Sequence, residues 1–210
     1  FKDMQDLEFT VEQGDLYMLQ SRRGQRTGAA AVRIAVDMVE ENVITREEAL
    51  LRIPPRAMTQ FLLPNFTQED KKGVTVLSKG LPASPGAARG KLAFTAADAV
   101  ERTKAGESVI LVRRETSPED VDGMHHATGI LTSTGGMTSH AAVVARGWGK
   151  CCVAGAGGLN INARAETVTV NGESYGPDDV FSIDGTTGEI MLGEVPYSEP
   201  ELSGEFAAVM

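Results

Sequence analysis

Six consecutive residues, Gly135-Gly136-Met137-Thr138-Ser139-His140, put two glycines, two hydroxyls and an imidazole at one point of the chain. Paired glycines let a backbone turn sharply and leave its N–H groups open to a ligand, because no Cβ stands in the way. The run Ala141 to Ala145 is expected to continue as a helix, capped by Thr138 or Ser139 and stopped at Gly147. A helix start concentrates unpaired N–H donors and partial positive charge, so an anion such as phosphate is favoured there. The same field disfavours an imidazolium, which leaves His140 neutral and nucleophilic near neutral pH. An uncharged ring beside an anion cradle and two hydroxyls is equipped to take a phosphoryl group on nitrogen and to hold the phosphohistidine formed. A histidine that only caps or packs at a helix start is the plainer alternative.

The elements around this loop follow from short patterns. Ile130-Leu131-Thr132 just upstream leans to β structure, so the local order is strand, loop, helix. From Val74 onward such runs alternate with glycine turns. Gly90 to Phe94, Val109 to Val112, Gly129 to Thr132, Cys151 to Val153, Val168 to Val170, Phe181 to Ile183 and Glu189 to Leu192 read as strands, with Asp184 to Gly188 as a turn. Gly80 to Gly86 reads as a turn-rich lead-in and Asp98 to Thr103 as a helix. Thr116-Ser117-Pro118 supplies a hydroxyl cap and a first-turn proline for another helix reaching His126. Many short strands with two or three helices make an α/β domain. Cys151 and Cys152, as neighbours on a strand, are expected to face in and out respectively. His125-His126 with Cys151-Cys152 is a poor zinc set, since adjacent side chains point apart. Gly155 to Gly158 lacks the Lys-Ser/Thr ending of a P-loop and reads as a turn beside the His140 helix.

Upstream, Leu7 to Glu12 and Leu16 to Ser21 alternate about Gln13-Gly14-Asp15, a β-hairpin with Glu8, Thr10 and Glu12 on one face. Thr27 to Glu41 has apolar residues at helical spacing. Thr45 caps a second helix to Ile53, which Pro54-Pro55 ends. The region from Thr27 to about Gly73 reads as a helical connector, and the acidic tail from Tyr197 as a linker. A net charge of −9 over 210 residues argues against nucleic acid and gives no reason to expect a membrane surface. No apolar run approaches the roughly 20 residues of a spanning helix. The two cysteines are adjacent and unsuited to pair with each other, so a reducing compartment, cytoplasm or organelle interior, is expected. Phe1-Lys2-Asp3 is neither an initiator methionine nor a signal peptide, so the chain reads as an excised piece whose address signals are not visible.

The segment Gly135 to Val153, with Met137-Thr138-Ser139 before His140-Ala141-Ala142 and Cys151-Cys152 after the helix, resembles the phosphohistidine segment of the pyruvate, phosphate dikinase family. Phosphoenolpyruvate synthase and enzyme I of the sugar phosphotransferase system share the Gly-Gly-x-Thr-x-His-Ala-Ala core more distantly. The likeness runs from about Leu81 to Leu192, and more loosely back to the N-terminus. It implies a swivelling β/β/α phosphohistidine domain over 74–197. Ahead of it would come a helical connector over 27–73 and, over 1–26, the C-terminal hairpin of an ATP-grasp nucleotide-binding domain. Residues 198–210 would be a linker toward an absent C-terminal barrel.

The resemblance also assigns roles. His140 would carry the phosphoryl group, with Gly135, Gly136, Thr138 and Ser139 as its cradle. Gln20 and Arg22 would approach the nucleotide phosphates, and Glu8 would hold Mg²⁺. Thr138 matches a regulatory phosphorylation site of plant members, where a phosphate adds roughly −2 charge and would occupy the cradle. The full-length enzyme would be a homodimer interconverting ATP, phosphate and pyruvate with AMP, pyrophosphate and phosphoenolpyruvate. A phosphoenolpyruvate synthase, using water in place of orthophosphate, and a non-catalytic swivelling docking domain are the alternatives. Enzyme I fits less well, having nothing to match Glu8 to Arg22. Two departures stand out. Ser133-Thr134 replaces the arginine common before the glycine pair, and Ala154-Gly155-Ala156 replaces Ser-Gly-Cys.

Overall fold

The computed structural model describes residues 2–24, 26, 28–53 and 63–198. The chain divides after residue 62 into two compact units, the second running from Leu63 to Pro200. The proline pair at 54 and 55 and the tail from residue 199 lie outside the described residues.

In the first unit β1 (Gln5–Glu12) and β2 (Asp15–Arg23) pair antiparallel. Gln13 and Gly14 between them both take positive φ, 54° and 93°, the mirror-image turn whose twist matches a tight hairpin. Register places Glu8 opposite Gln20 and Asp6 opposite Arg22, with a bulge between Glu8 and Phe9. Helices α1 (Gly28–Glu40) and α2 (Arg46–Arg52) form a small core in which Val32, Ala35 and Val36 meet Ile44, Ala49 and Ile53. Thr45 opens α2 with a reciprocal box. Its hydroxyl accepts the Glu48 N–H at 3.2 Å while the Glu48 carboxylate accepts the Thr45 N–H at 3.0 Å.

The second unit is mixed α/β. Strands β3 (Val76–Lys79), β4 (Leu81–Ser84), β5 (Ala87–Ala93), β6 (Val109–Arg113), β7 (Gly129–Thr132), β8 (Cys151–Ala154), β12 (Val180–Asp184) and β13 (Glu189–Leu192) form one sheet. Its order is β3-β13-β12-β5-β6-β7-β8-β4. The four central strands β5 to β8 are parallel and the flanking ones antiparallel. Strands β9 (Asn160–Asn162), β10 (Thr167–Val170) and β11 (Glu173–Tyr175) make a separate three-stranded sheet.

Side-chain alternation along the central strands sorts the core into two halves. Leu92, Ile110, Val112, Leu131, Cys151 and Val153 pack with Val168, Val170 and Tyr175 of the small sheet. Ala93, Val109, Leu111, Ile130, Cys152 and Ala154 pack against helices α3 (Ala96–Lys104), α4 (Val121–His126) and α5 (His140–Trp148), through Ala99, Met124 and the alanines of α5. Strands covered on both faces need apolar residues at every position, and Val109 to Val112 meets that need.

Three expectations are corrected here. Cys151 and Cys152 do point to opposite faces, but both faces are covered, so both thiols are buried. Gly80 to Gly86 contains strand β4 rather than only turns. Pro82 obscures it, and is tolerated because β4 is the last strand of the sheet. Helix α5 passes through Gly147 and ends at Trp148, with Gly149 in the left-handed conformation at φ 66° as its cap.

Residues 63–73, polar enough to be grouped with the connector, pack into this second unit. Lys71 lies between Asp184 at 2.5 Å and Glu189 at 2.6 Å, and the backbones of Asn65 and Ser198 pair in an antiparallel bridge. No helix among the described residues is long and apolar enough to cross a membrane.

Candidate functional site

The parallel strands β6 and β7 end side by side, with Arg113 opposite Thr132, so the loops that leave them are neighbours. Such carboxyl ends of parallel strands are where α/β sheets place ligands. The loop after β7 is Ser133 to Ser139. Gly135 stands at φ +98°, and a Cβ there would come within 2.9 Å of the Ser139 Cβ, so only glycine lets the loop fold back on the helix start. Behind it, Gly155 lies so close that an added Cβ would meet the Gly135 carbonyl oxygen at 2.5 Å. The Ala156 N–H donates to Thr132 O at 2.9 Å, which ties the expected turn after β8 to the base of the loop.

Ser139 is the N-cap of α5, its hydroxyl accepting the Ala142 N–H at 3.4 Å, and its own N–H donates to Gly136 O at 3.0 Å. His140 is therefore the first residue of the helix. The N–H groups of Gly135, Gly136, Met137, Thr138, His140 and Ala141 meet no acceptor among the described residues. Gly135, Gly136 and Thr138 are exposed, and Ser139 and His140 half-buried. The structure thus brings together five of the residues singled out from the sequence around a run of free amide donors, an arrangement suited to an anion.

The imidazole is oriented by Thr116, whose hydroxyl the sequence pattern assigns to a helix cap. Thr116 Oγ1 lies 3.1 Å from His140 Nδ1, across 24 residues of sequence, and Thr116 is buried. Nε2 has no partner among the described residues. Ser117, not Thr116, opens the following turn. The buried Asp120 carboxylate accepts the Ser117 N–H at 2.9 Å and its hydroxyl at 3.2 Å, and the Arg113 guanidinium stands 3.2 Å away. With capping handed to Ser117, the Thr116 hydroxyl is left for the ring. The signal available in the sequence was position alone, the first hydroxyl after strand β6, beside the strand that feeds the histidine loop.

The cysteines that follow α5 have no chemistry to offer. Burial pushes both thiols up, that of Cys152 to about 12 even though Arg146 pulls the other way. No group of three or more His, Cys, Asp or Glu suited to a metal occurs among the described residues.

Glu8, Gln20 and Arg22 fall in the first unit. Glu8 and Gln20 are direct cross-strand partners, and Arg22 lies two residues along on the same face, 2.8 Å from Asp6 and 3.9 Å from Glu8. The carboxylates hold the Arg22 guanidinium further above its ordinary range, with the bond to Asp6 the main cause. Glu8 offers one exposed carboxylate. Mg²⁺ is commonly bound by one or two carboxylates together with phosphates and water, so Glu8 fits as a single ligand and not as a complete site.

Residues 105–175, which include the whole His140 loop, match the family model described as PEP-utilising enzyme, mobile domain. The entire chain is 52% identical to a pyruvate, phosphate dikinase of Clostridium symbiosum and 53% identical to pyruvate, phosphate dikinase 2 of Oryza sativa subsp. japonica, covering 24% of each. It is 50% identical to the enzyme of Rhizobium meliloti, covering 23%. The chain thus spans about a quarter of the length of these relatives.

Proposed function

This chain is related from end to end to a segment of the pyruvate, phosphate dikinases and carries the mobile domain of the PEP-utilising enzymes, and from that premise we propose that His140 is a phosphoryl carrier. The observation that supports this most is the division of labour on the ring, with Nδ1 held by Thr116 and Nε2 unpartnered, at the end of a loop whose N–H groups are free. For attack through Nε2 the ring proton sits on Nδ1, where Thr116 Oγ1 accepts it. In that tautomer the Nε2 lone pair is the one open to a phosphoryl donor.

In the full-length polypeptide, Nε2 takes the β,γ-diphosphoryl group of ATP, breaking the bond to the α-phosphate oxygen and releasing AMP. The terminal phosphoryl passes to orthophosphate as pyrophosphate. The remaining one leaves nitrogen for the enol oxygen of pyruvate, giving phosphoenolpyruvate. The amide donors of Thr138, His140 and Ala141 meet the phosphoryl oxygens, with the Thr138 and Ser139 hydroxyls beside them. Gly135 and Gly136 keep that approach clear. Gln20 and Arg22 contact nucleotide phosphates, and Glu8 is one ligand of a Mg²⁺ that neutralises phosphate charge when bound.

In this reading the hairpin is the last part of an ATP-grasp domain, and the unit that bears His140 is a swivelling domain moving between sites elsewhere in the polypeptide. The exposed Thr138 is open to a regulatory kinase, and a phosphate there would fill the cradle with like charge. The test is labelling with radioactive phosphoenolpyruvate, the C-terminal remainder of a pyruvate, phosphate dikinase being supplied in trans. Wild type should take up acid-labile phosphate and His140→Ala should not. Equal labelling of both would end the proposal.

A further inference from the structure

We propose that Arg146 is a positioning residue for the phosphate cradle, acting on the Thr138 N–H through the Met137 carbonyl. The proposal rests on the reading that His140 accepts a phosphoryl group. Arg146 stands in the last turn of α5. Its Nε donates to Ala142 O at 3.1 Å, which lays the side chain back along its own helix. From there Nη2 donates to Met137 O, nine residues back in the loop. Among the described residues no other side chain binds the Met137-Thr138 backbone.

A trans peptide is planar, so the carbonyl of one residue and the N–H of the next point in opposite directions. The chain has no cis bonds among the described residues. Drawing the Met137 carbonyl toward Arg146, which lies along α5 in its C-terminal direction, turns the Thr138 N–H the other way. That is the direction in which the free N–H groups of His140 and Ala141 point from the helix start. Arg146 thereby aligns a loop donor with the two that the helix supplies. Without it the Met137-Thr138 peptide can rotate, and the cradle keeps its helix donors but loses the Thr138 N–H from their alignment.

The experiment uses the 210-residue chain with potassium phosphoramidate as donor. Nε2 attacks phosphorus, the bond from phosphorus to ammonia breaks, and ammonia leaves while the ring keeps its Nδ1 proton. Arg146→Ala should slow formation of phosphohistidine at His140 by about tenfold, less than the ~10²–10³ lost when an anion-hole donor is deleted outright. Millimolar guanidinium should restore most of the rate to Arg146→Ala and leave wild type unchanged. A rate equal to wild type, or a loss that guanidinium does not repair, overturns the proposal.

Arg146→Lys guards against loss of the fold. Titrated with inorganic phosphate and followed by amide NMR, wild type should show a shifting Thr138 N–H and Arg146→Lys a much smaller shift, whereas equal shifts overturn the proposal. If wild type forms no phosphohistidine at His140, it is the carrier reading that fails.

Discussion

Which ring nitrogen is taken separates a packed histidine from a phosphoryl carrier. At His140 the buried Thr116 hydroxyl engages Nδ1 at 3.1 Å, and Nε2 has no partner among the described residues. Thr116→Val keeps the shape and removes the oxygen, so Nδ1 loses its partner. Phosphohistidine formation from phosphoramidate should slow by roughly tenfold, less than the ~10²–10⁴ that a proton-transferring group contributes, and part of the product should move to Nδ1, read by phosphorus NMR. The neighbouring thiols behave in the opposite way. Both are buried and pushed upward by desolvation, so neither Cys151 nor Cys152 should react with iodoacetamide in the folded chain at mildly alkaline pH, while both should react once it is unfolded. Rapid alkylation of the native protein would contradict this burial.

Helix α5 shows at the element scale why the chain had to be seen folded. Gly147 and Gly149 are both plausible stops, and the residue pattern chose the first. The left-handed conformation is at Gly149, and Gly147 is an ordinary helical residue with nothing within 4 Å of an added Cβ. Gly147→Ala should therefore raise stability by up to about 1 kcal/mol through helix propensity. Gly149→Ala should lower it by about 1 kcal/mol through left-handed strain. Urea denaturation of the two variants checks both signs. The strand-loop-helix order around His140 was legible because it rests on local patterns: a β-leaning run, a glycine pair and an alanine-rich helix. The central strands were legible as strands for the same reason, while their parallel pairing is seen only in the sheet. Strand β4 was not, since an edge strand admits proline and so resembles a turn. Thr116 was not either, because its role depends on which strands are neighbours, and adjacency of β6 and β7 is a property of the sheet.

For the molecule as a whole, the Lys71 ammonium ties residues 63–73 to the sheet that carries the site, through Asp184 and Glu189. Burial alone would pull Lys71 down, but the two carboxylates outweigh it and the net direction is up. Glu189 moves down, with Lys71 the main cause. A raised lysine stabilises fully below its ordinary value of 10.5 and loses that as pH rises through its folded value. A lowered glutamate stabilises fully above its ordinary 4.5 and loses that as pH falls through its folded value. Lys71→Met, which leaves a buried carboxylate without its partner, should cost about 3 kcal/mol at neutral pH. In denaturation curves against pH that difference should shrink below about pH 4.5, where wild type loses the pair as well; a constant difference down to strong acid would contradict the assignment.

The account depends above all on His140 receiving phosphorus through its outer nitrogen, and phosphorus–proton correlation NMR of the chain phosphorylated by phosphoramidate tests that most directly. The expected result is a phosphoryl group on Nε2 of His140, absent from His140→Ala. Phosphorylation on Nδ1, or none at His140 while the chain remains folded, would contradict it.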